Sequence, residues 1–333
     1  MRLGAAALIA GALWVLFAVP AVAEGDDVVA TIRDERITES SGLVQSGRNA
    51  ALAYTVNDSG SAPVVYVLEL STGEVVGTAT LGGIEVADVE ALAIGADERL
   101  YVADIGDNDG VRRRVDLYAI DQPARGDVTV TPERHRLRYA DGPRDAESLV
   151  SDALDGSFYI VSKGLLGGEL YRLDALRPDR VTVGRPVADV EIPGLATDAD
   201  VLSAADGVVV RTYSDAYVFA VPGWELLTSF PLPDQPQGET VAAIDGGPSF
   251  YIGSEGQPSD LLNEQVPASA WRELGRRQEE RREQEAQPDD EGAELGNDVP
   301  DGSPGTPWLL GGGSLFMLLL VGGAVALVVR RRT

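Results

Sequence analysis

Apolar positions in the middle of this chain fall in short runs separated by Gly, Asp, Asn and Pro, and the runs are rich in Val, Ile, Tyr and Phe. That pattern predicts short β-strands rather than helices. The clearest case is Asp88-Val89-Glu90-Ala91-Leu92-Ala93-Ile94, reversed by Gly95-Ala96-Asp97-Glu98-Arg99 and answered by Leu100-Tyr101-Val102-Ala103-Asp104. In an antiparallel pair the start of the first strand and the end of the second share one edge. Asp88 and Glu90 are therefore expected close to Asp104 and Asp107.

The same plan recurs. Glu39-Ser40-Ser41-Gly42-Leu43-Val44 is answered by 51–58, and Asp145-Ala146-Glu147-Ser148-Leu149-Val150 by 158–163. Asp198-Ala199-Asp200-Val201-Leu202 is answered by 208–213, and Gly238-Glu239-Thr240-Val241-Ala242 by 250–255. Further strands are predicted at 64–70 and 75–81, at 115–120 and 134–139, and at 169–173 and 187–192. The lead acids Glu39, Glu90, Glu147, Asp200 and Glu239 are separated by 51, 57, 53 and 39 residues. Units of this length, each with four short strands, predict an all-β fold, a β-propeller of five blades or, if one unit is degenerate, six. The final unit has one further strand, 261–266. The strand at 28–33 has no unit of its own and is expected to close the last blade, removing an exposed edge.

Both ends of the chain read differently. Residues 1–23 form a secretory signal pattern, with Arg2, an apolar core and Ala21-Val22-Ala23 before the cleavage point. Residues 308–329 carry no charge, long enough to cross a hydrocarbon layer of roughly 30 Å, and Arg330-Arg331-Arg332 follow. Positive charge marks the cytoplasmic side, so the expectation is a single-pass type I protein of the cell membrane. Its domain, 24–267, would lie outside, with a tail at 330–333. Between domain and anchor, 268–307 reads as a stalk. Its first part is an exposed charged helix with Glu273/Arg277 and Arg281/Glu285 pairs, and its second an acidic Gly/Pro-rich linker.

Composition narrows the chemistry. The 53 acidic against 27 basic residues give a formal charge of −26, which repels a phosphate backbone and argues against nucleic-acid binding. There is no cysteine, and the single histidine, His135, lies in Glu133-Arg134-His135-Arg136 and reads as a surface residue. Thiolate and multi-histidine sites are thereby excluded. In a propeller the inner-strand starts and second-strand ends converge on one mouth of the central channel. The starts supply Glu39, Asp88, Glu90, Glu147, Asp200 and Glu239. The ends supply Asn57, Asp58, Asp104, Asp107, Lys163, Arg211 and Glu255. Oxygen ligands alone suit Ca²⁺ or Mg²⁺, and Ca²⁺, with its variable 6–8 ligands, fits a ring of loop ends best. The metal candidates are Glu39, Asp88, Glu90, Asp104, Asp107, Glu147, Asp200 and Glu239. Asn57, Asp58, Lys163, Arg211 and Glu255 are candidates for a small-molecule or protein ligand. Lys163, the only lysine, and Arg211 are the candidates for catalysis. The alternation Asp104-Ile105-Gly106-Asp107-Asn108-Asp109-Gly110 lacks the glutamate that an EF-hand needs at its twelfth position, where Val115 falls.

The Asp-x-Glu-Ala/Ser-Leu starts and Leu/Phe-Tyr-Val/Ile-x-Asp/Ser returns, over roughly residues 28–266, resemble those of extracytoplasmic bacterial β-propellers of the phytase-like and lactonase-like kind. The resemblance implies metal at Glu90, Asp104, Glu147 and Glu239, with Lys163 and Arg211 for phosphate. The sequence departs from those relatives in having few basic residues at the expected mouth. Three readings follow: a monomeric, membrane-anchored binding domain with calcium at the mouth; a calcium-dependent hydrolase of a phosphoester, ester or lactone; and a structural envelope protein whose acids only set the fold.

Overall fold

The computed structural model describes residues 28–286 except Ser59 and Ala153. The signal segment and the apolar segment at 308–329 lie outside these residues. Among the described residues no helix is long and apolar enough to cross a membrane.

The fold is mostly β, in multiple antiparallel sheets. β1 (Val28–Ile32) opens it. Then come β2 (Ser40–Gln45), β3 (Leu52–Asn57), β4 (Val64–Glu69) and β5 (Val75–Leu81), each paired antiparallel with the next. A second meander is β6 (Val89–Ile94), β7 (Arg99–Asp104) and β8 (Val115–Asp121). β9 (Gly126–Val130) leaves it to pair in parallel with β5, and β10 (Glu133–Tyr139) returns to β8. The third is β11 (Ala146–Ser151), β12 (Phe158–Ser162), β13 (Leu170–Leu173) and β14 (Thr182–Pro186). The fourth is β15 (Ala196–Leu202), β16 (Gly207–Thr212), β17 (Asp215–Ala220) and β18 (Glu225–Pro231). Last come β19 (Gly238–Ala243), β20 (Ser249–Ser254) and β21 (Ser259–Gln265), whose fourth neighbour is β1, paired antiparallel with β21.

The first strands of the five units, β2, β6, β11, β15 and β19, lie side by side in that order, and β19 returns to β2. Five separate apolar clusters fill the spaces between successive units. The cluster between the fifth and first units holds Ile32, Leu43, Leu68 and Leu261. Each face of a unit is thus covered by its neighbour, which explains why β2, β3, β11 and β16 read as nearly continuous buried runs.

Three expectations need correction. The fourth strand of the third unit is β14 at 182–186, not 187–192, and it pairs in parallel with β10, so the second and third units share one eight-stranded sheet. His135 is not at the surface. It is 3 % exposed, Nε2 lies 3.0 Å from Glu133, and the ring stands 6.1 Å from that of Tyr101. Burial lowers its pKa. Finally, α1 (Ala268–Ala286) forms, with both expected i,i+4 ion pairs, but its start is not an exposed stalk. Ala270 and Leu274 are buried in the apolar cluster between the fourth and fifth units. Farther along, Arg281 and Gln278 bind Asp206, and Arg277 binds Glu225.

Candidate metal centre

The inner strands share a device near their starts, a one-residue slip in their pairing. The pairing of β6 with β7 slips by one residue between Val89 and Ala91. That of β11 slips between Ala146 and Ser148, and that of β19 between Gly238 and Thr240. A bulge leaves one residue unpaired and turns its side chain. In these three strands that residue is a glutamate, Glu90, Glu147 or Glu239, and each is at most 4 % exposed. In β15 the slip leaves Thr197, and in β2 it falls at Gly42. Ser41, beside it, donates to the main-chain oxygen and to Oε2 of Glu90.

Around Glu90 the carboxylates crowd. Ligand atoms of Asp58, Asp88 and Glu90 all lie within 4.8 Å of one another. Gly106 makes this approach possible: a Cβ there would stand 2.4 Å from Oδ2 of Asp88 and 2.7 Å from Oε1 of Glu90. Burial first, then Glu147, Asp58 and Asp88, push Glu90 up to about 11. Burial and Asp58 push Asp88 up to about 7. Oδ1 of Asp88 is enclosed without a hydrogen-bond partner, as is Oε2 of Glu239.

Among these acids Lys163 makes a direct ion pair, while the charge of Arg112 acts on Asp88. Lys163 Nζ donates to Glu147 Oε1 at 2.9 Å and lies 5.3 Å from the centre of the Tyr213 ring. Burial works against its charge, but Glu147, Tyr213 and Glu239 together outweigh it and the lysine pKa is raised. Burial raises Glu147 to about 8 with Lys163 opposing. Glu239, also raised by burial, accepts from Gln237 Nε2 at 3.2 Å. Glu255 is raised to about 7 by burial and by Glu239 and Asp58. Asp58, Asp88, Glu90, Glu147, Lys163, Glu239 and Glu255 therefore act on one another, and Glu39 stands exposed.

Other expected residues are occupied elsewhere. Asp104 takes the main-chain N–H groups of Ala87 and Asp88 and an ion pair from Arg112 at 2.7 Å. Asp107 accepts from the N–H groups of Val111 and Arg112 and thereby closes its own loop. Asn57 spans Glu39 N–H and the Arg36 carbonyl. Asp200 lies at the opposite end of the ring, where it accepts from Val201 and Ala243 N–H. There it helps line a cavity of about 200 Å³ with Gln45, Ser151 and Asp245. Arg211 is wholly buried. Its guanidinium donates to the carbonyls of Thr212, Thr240 and Gly253, and burial pushes its pKa down to about 10. Sequence reasoning missed Gly106 and Tyr213 as parts of the site. The signal for Gly106 is its place just past the end of β7, matching Asp58 and Lys163: the N–H groups of Asp58, Gly106 and Lys163 donate to the carbonyls of Glu39, Asp88 and Asp145.

No family model matches the chain, and no curated protein matches it. Among solved structures it is similar to Raptor of Chaetomium thermophilum, at 13 % identity and a TM-score of 0.42. That match covers 73 % of this chain and 29 % of the other. It is also similar to an auxiliary nutrient-binding protein of Bacteroides thetaiotaomicron, at 9 % identity and a TM-score of 0.36, over 68 % of this chain and 57 % of the other. Both matches are to β-rich proteins, and the chain spans well under two thirds of either.

Proposed function

We propose that the chain is a five-bladed β-propeller, one blade per four-stranded unit, acting as an extracytoplasmic, membrane-anchored binding domain that holds calcium at one mouth of its axis. The observation that carries the metal assignment is the approach of Asp58, Asp88 and Glu90 to within 4.8 Å. Three carboxylates this close must take up protons or a cation, and the set offers oxygen alone, which suits a hard cation. Asp58 and Asp88 come from loops and Glu90 from a strand, so the cluster joins adjustable ligands to one fixed ligand. The hydrolase reading loses Arg211 as a phosphate-binding group, because that side chain is committed to three carbonyls inside the fold.

Calorimetric titration of the full chain with calcium tests the proposal. The expected result is saturable binding near one ion per chain. Affinity should fall at least about tenfold in Glu90→Gln, which removes a charged ligand, and in Gly106→Ala, whose Cβ displaces two carboxylates, with the circular dichroism spectrum retained in both. Absence of heat at millimolar calcium would sink the metal site and leave the ring of acids architectural.

A further inference from the structure

Two loops at the calcium end hold aliphatic side chains in solvent. Leu166 is 98 % exposed and Leu165 77 %, in the loop from β12 to β13; Val111, in the loop from β7 to β8, is 70 % exposed. The leucine loop is built to project them. A Cβ at Gly164 would lie 2.1 Å from the Gly167 carbonyl oxygen, and one at Gly168 2.3 Å from that of Ser162. Leu195 N–H binds the Gly164 carbonyl from the next segment. The two loops meet at Asp145, which accepts Asp107 N–H on its side chain and Lys163 N–H on its carbonyl. Arg113 and Arg114 stand exposed beside Val111.

The described chain enters and leaves on the other side. β1 runs antiparallel to β21, whose far end leads into α1, and α1 is tied to Asp206 and Glu225 in turns opposite the calcium end. The leucines thus lie at the end of the sheets opposite the start of α1. Projecting aliphatic side chains, rather than a concave pocket, suit a fluid apolar phase, and neighbouring arginines suit headgroup phosphates. The charge of −26 opposes approach to an anionic surface, unless a cation bridges the acidic mouth to that surface.

We infer that this end docks on an anionic lipid surface, Leu165, Leu166 and Val111 entering the apolar layer and bound calcium bridging the carboxylates to headgroups. The inference rests on the calcium reading above. To test it, the full chain is captured through a C-terminal tag on a sensor and exposed to vesicles of equimolar phosphatidylserine and phosphatidylcholine, in calcium or in chelator. Calcium calorimetry on the same variants runs alongside. Calcium should raise vesicle affinity at least about tenfold, since it removes the repulsion and adds a bridge. The double change Leu165→Ser and Leu166→Ser should weaken binding by about a hundredfold while calcium heats stay unchanged. Wild-type vesicle binding by the double variant overturns the proposal. So does calcium binding without vesicle binding, which would give the leucines to a protein partner. Vesicle binding equal in calcium and chelator overturns the calcium dependence. Absence of calcium heats overturns the metal reading itself.

Discussion

If calcium occupies the Asp58–Asp88–Glu90 cluster, its affinity must depend on pH in a manner set by the carboxyls it displaces protons from. Glu90 is pushed up to about 11 and Asp88 up to about 7, in each case by burial first and by neighbouring carboxylates second. Below pH 7 both are protonated in the free protein, and above it only Glu90 is. Metal ligands must be deprotonated, so binding releases those protons. The logarithm of affinity should therefore rise by about two per pH unit below pH 7 and by about one above it. One proton displaced is a tenfold change per unit, or about 1.4 kcal/mol. Titrations at pH 6 and pH 8, each in two buffers of different ionisation enthalpy, count the protons directly. About two should leave at pH 6 and about one at pH 8. The sign for stability follows from the same shifts. These carboxyls bind protons more tightly folded than unfolded, so the calcium-free domain gains stability at acid pH and loses it as pH rises from the ordinary carboxylate range through 7 and beyond. Calcium should reverse that loss, and its stabilising effect on the melt should grow with pH. Saturable binding with no proton release at either pH would refute the reasoning, because it would place the ion away from Glu90 and Asp88.

Two further changes probe the frame around the site. Arg211→Met removes a wholly buried guanidinium and leaves the Thr212, Thr240 and Gly253 carbonyls without their donor; it should cost about 3 kcal/mol in urea unfolding, and a loss below about 1 kcal/mol would mean the carbonyls find other donors. Leu274→Ala empties a position 1 % exposed against Gly207 and should cost about 2–4 kcal/mol, with hydrogen exchange in α1 rising before that of the sheets; unchanged exchange would show that the Arg277 and Arg281 ion pairs hold the helix without it.

What was legible in the sequence was whatever a short motif fixes locally. Glu90, Glu147 and Glu239 share the position after the first strand residue, so their convergence followed from the repeat. Asp200 did not, because Asp198-Ala199-Asp200 imitates the lead motif three residues late. The register is set instead by Ala196 facing Thr212 across β15 and β16, a long-range pairing that acid spacing does not encode. Arg211 went wrong with it: it faces Asp198, one step inside the strand end, where a side chain meets core rather than solvent. His135 was hidden by its charged neighbours, although period two along β10 puts His135, Leu137 and Tyr139 on one buried face and Arg134, Arg136 and Arg138 on the other. In α1 only Ala270 and Leu274 are buried, too narrow a stripe to stand out from nineteen mostly charged and polar positions.

The acids of this fold separate into two groups by what they accept. Asp104, Asp107, Asp198 and Asp200 each take main-chain N–H groups, Asp198 from Ala199 and Val241, and so hold loops and neighbouring inner strands together. Apart from the Arg112 guanidinium on Asp104 the donors are neutral, so an amide side chain could accept those bonds nearly as well. Glu90, Glu147 and Glu239 are placed otherwise: a serine hydroxyl, a lysine and a glutamine side chain meet them, and Glu147 acts on Glu90 as Glu239 acts on Glu147. Burying like charges together costs stability that a glutamine or leucine at the same bulge would not. Such a conflict between local preference and position is where function is expected in an otherwise consistent fold, and a cation bound among these carboxylates would resolve it.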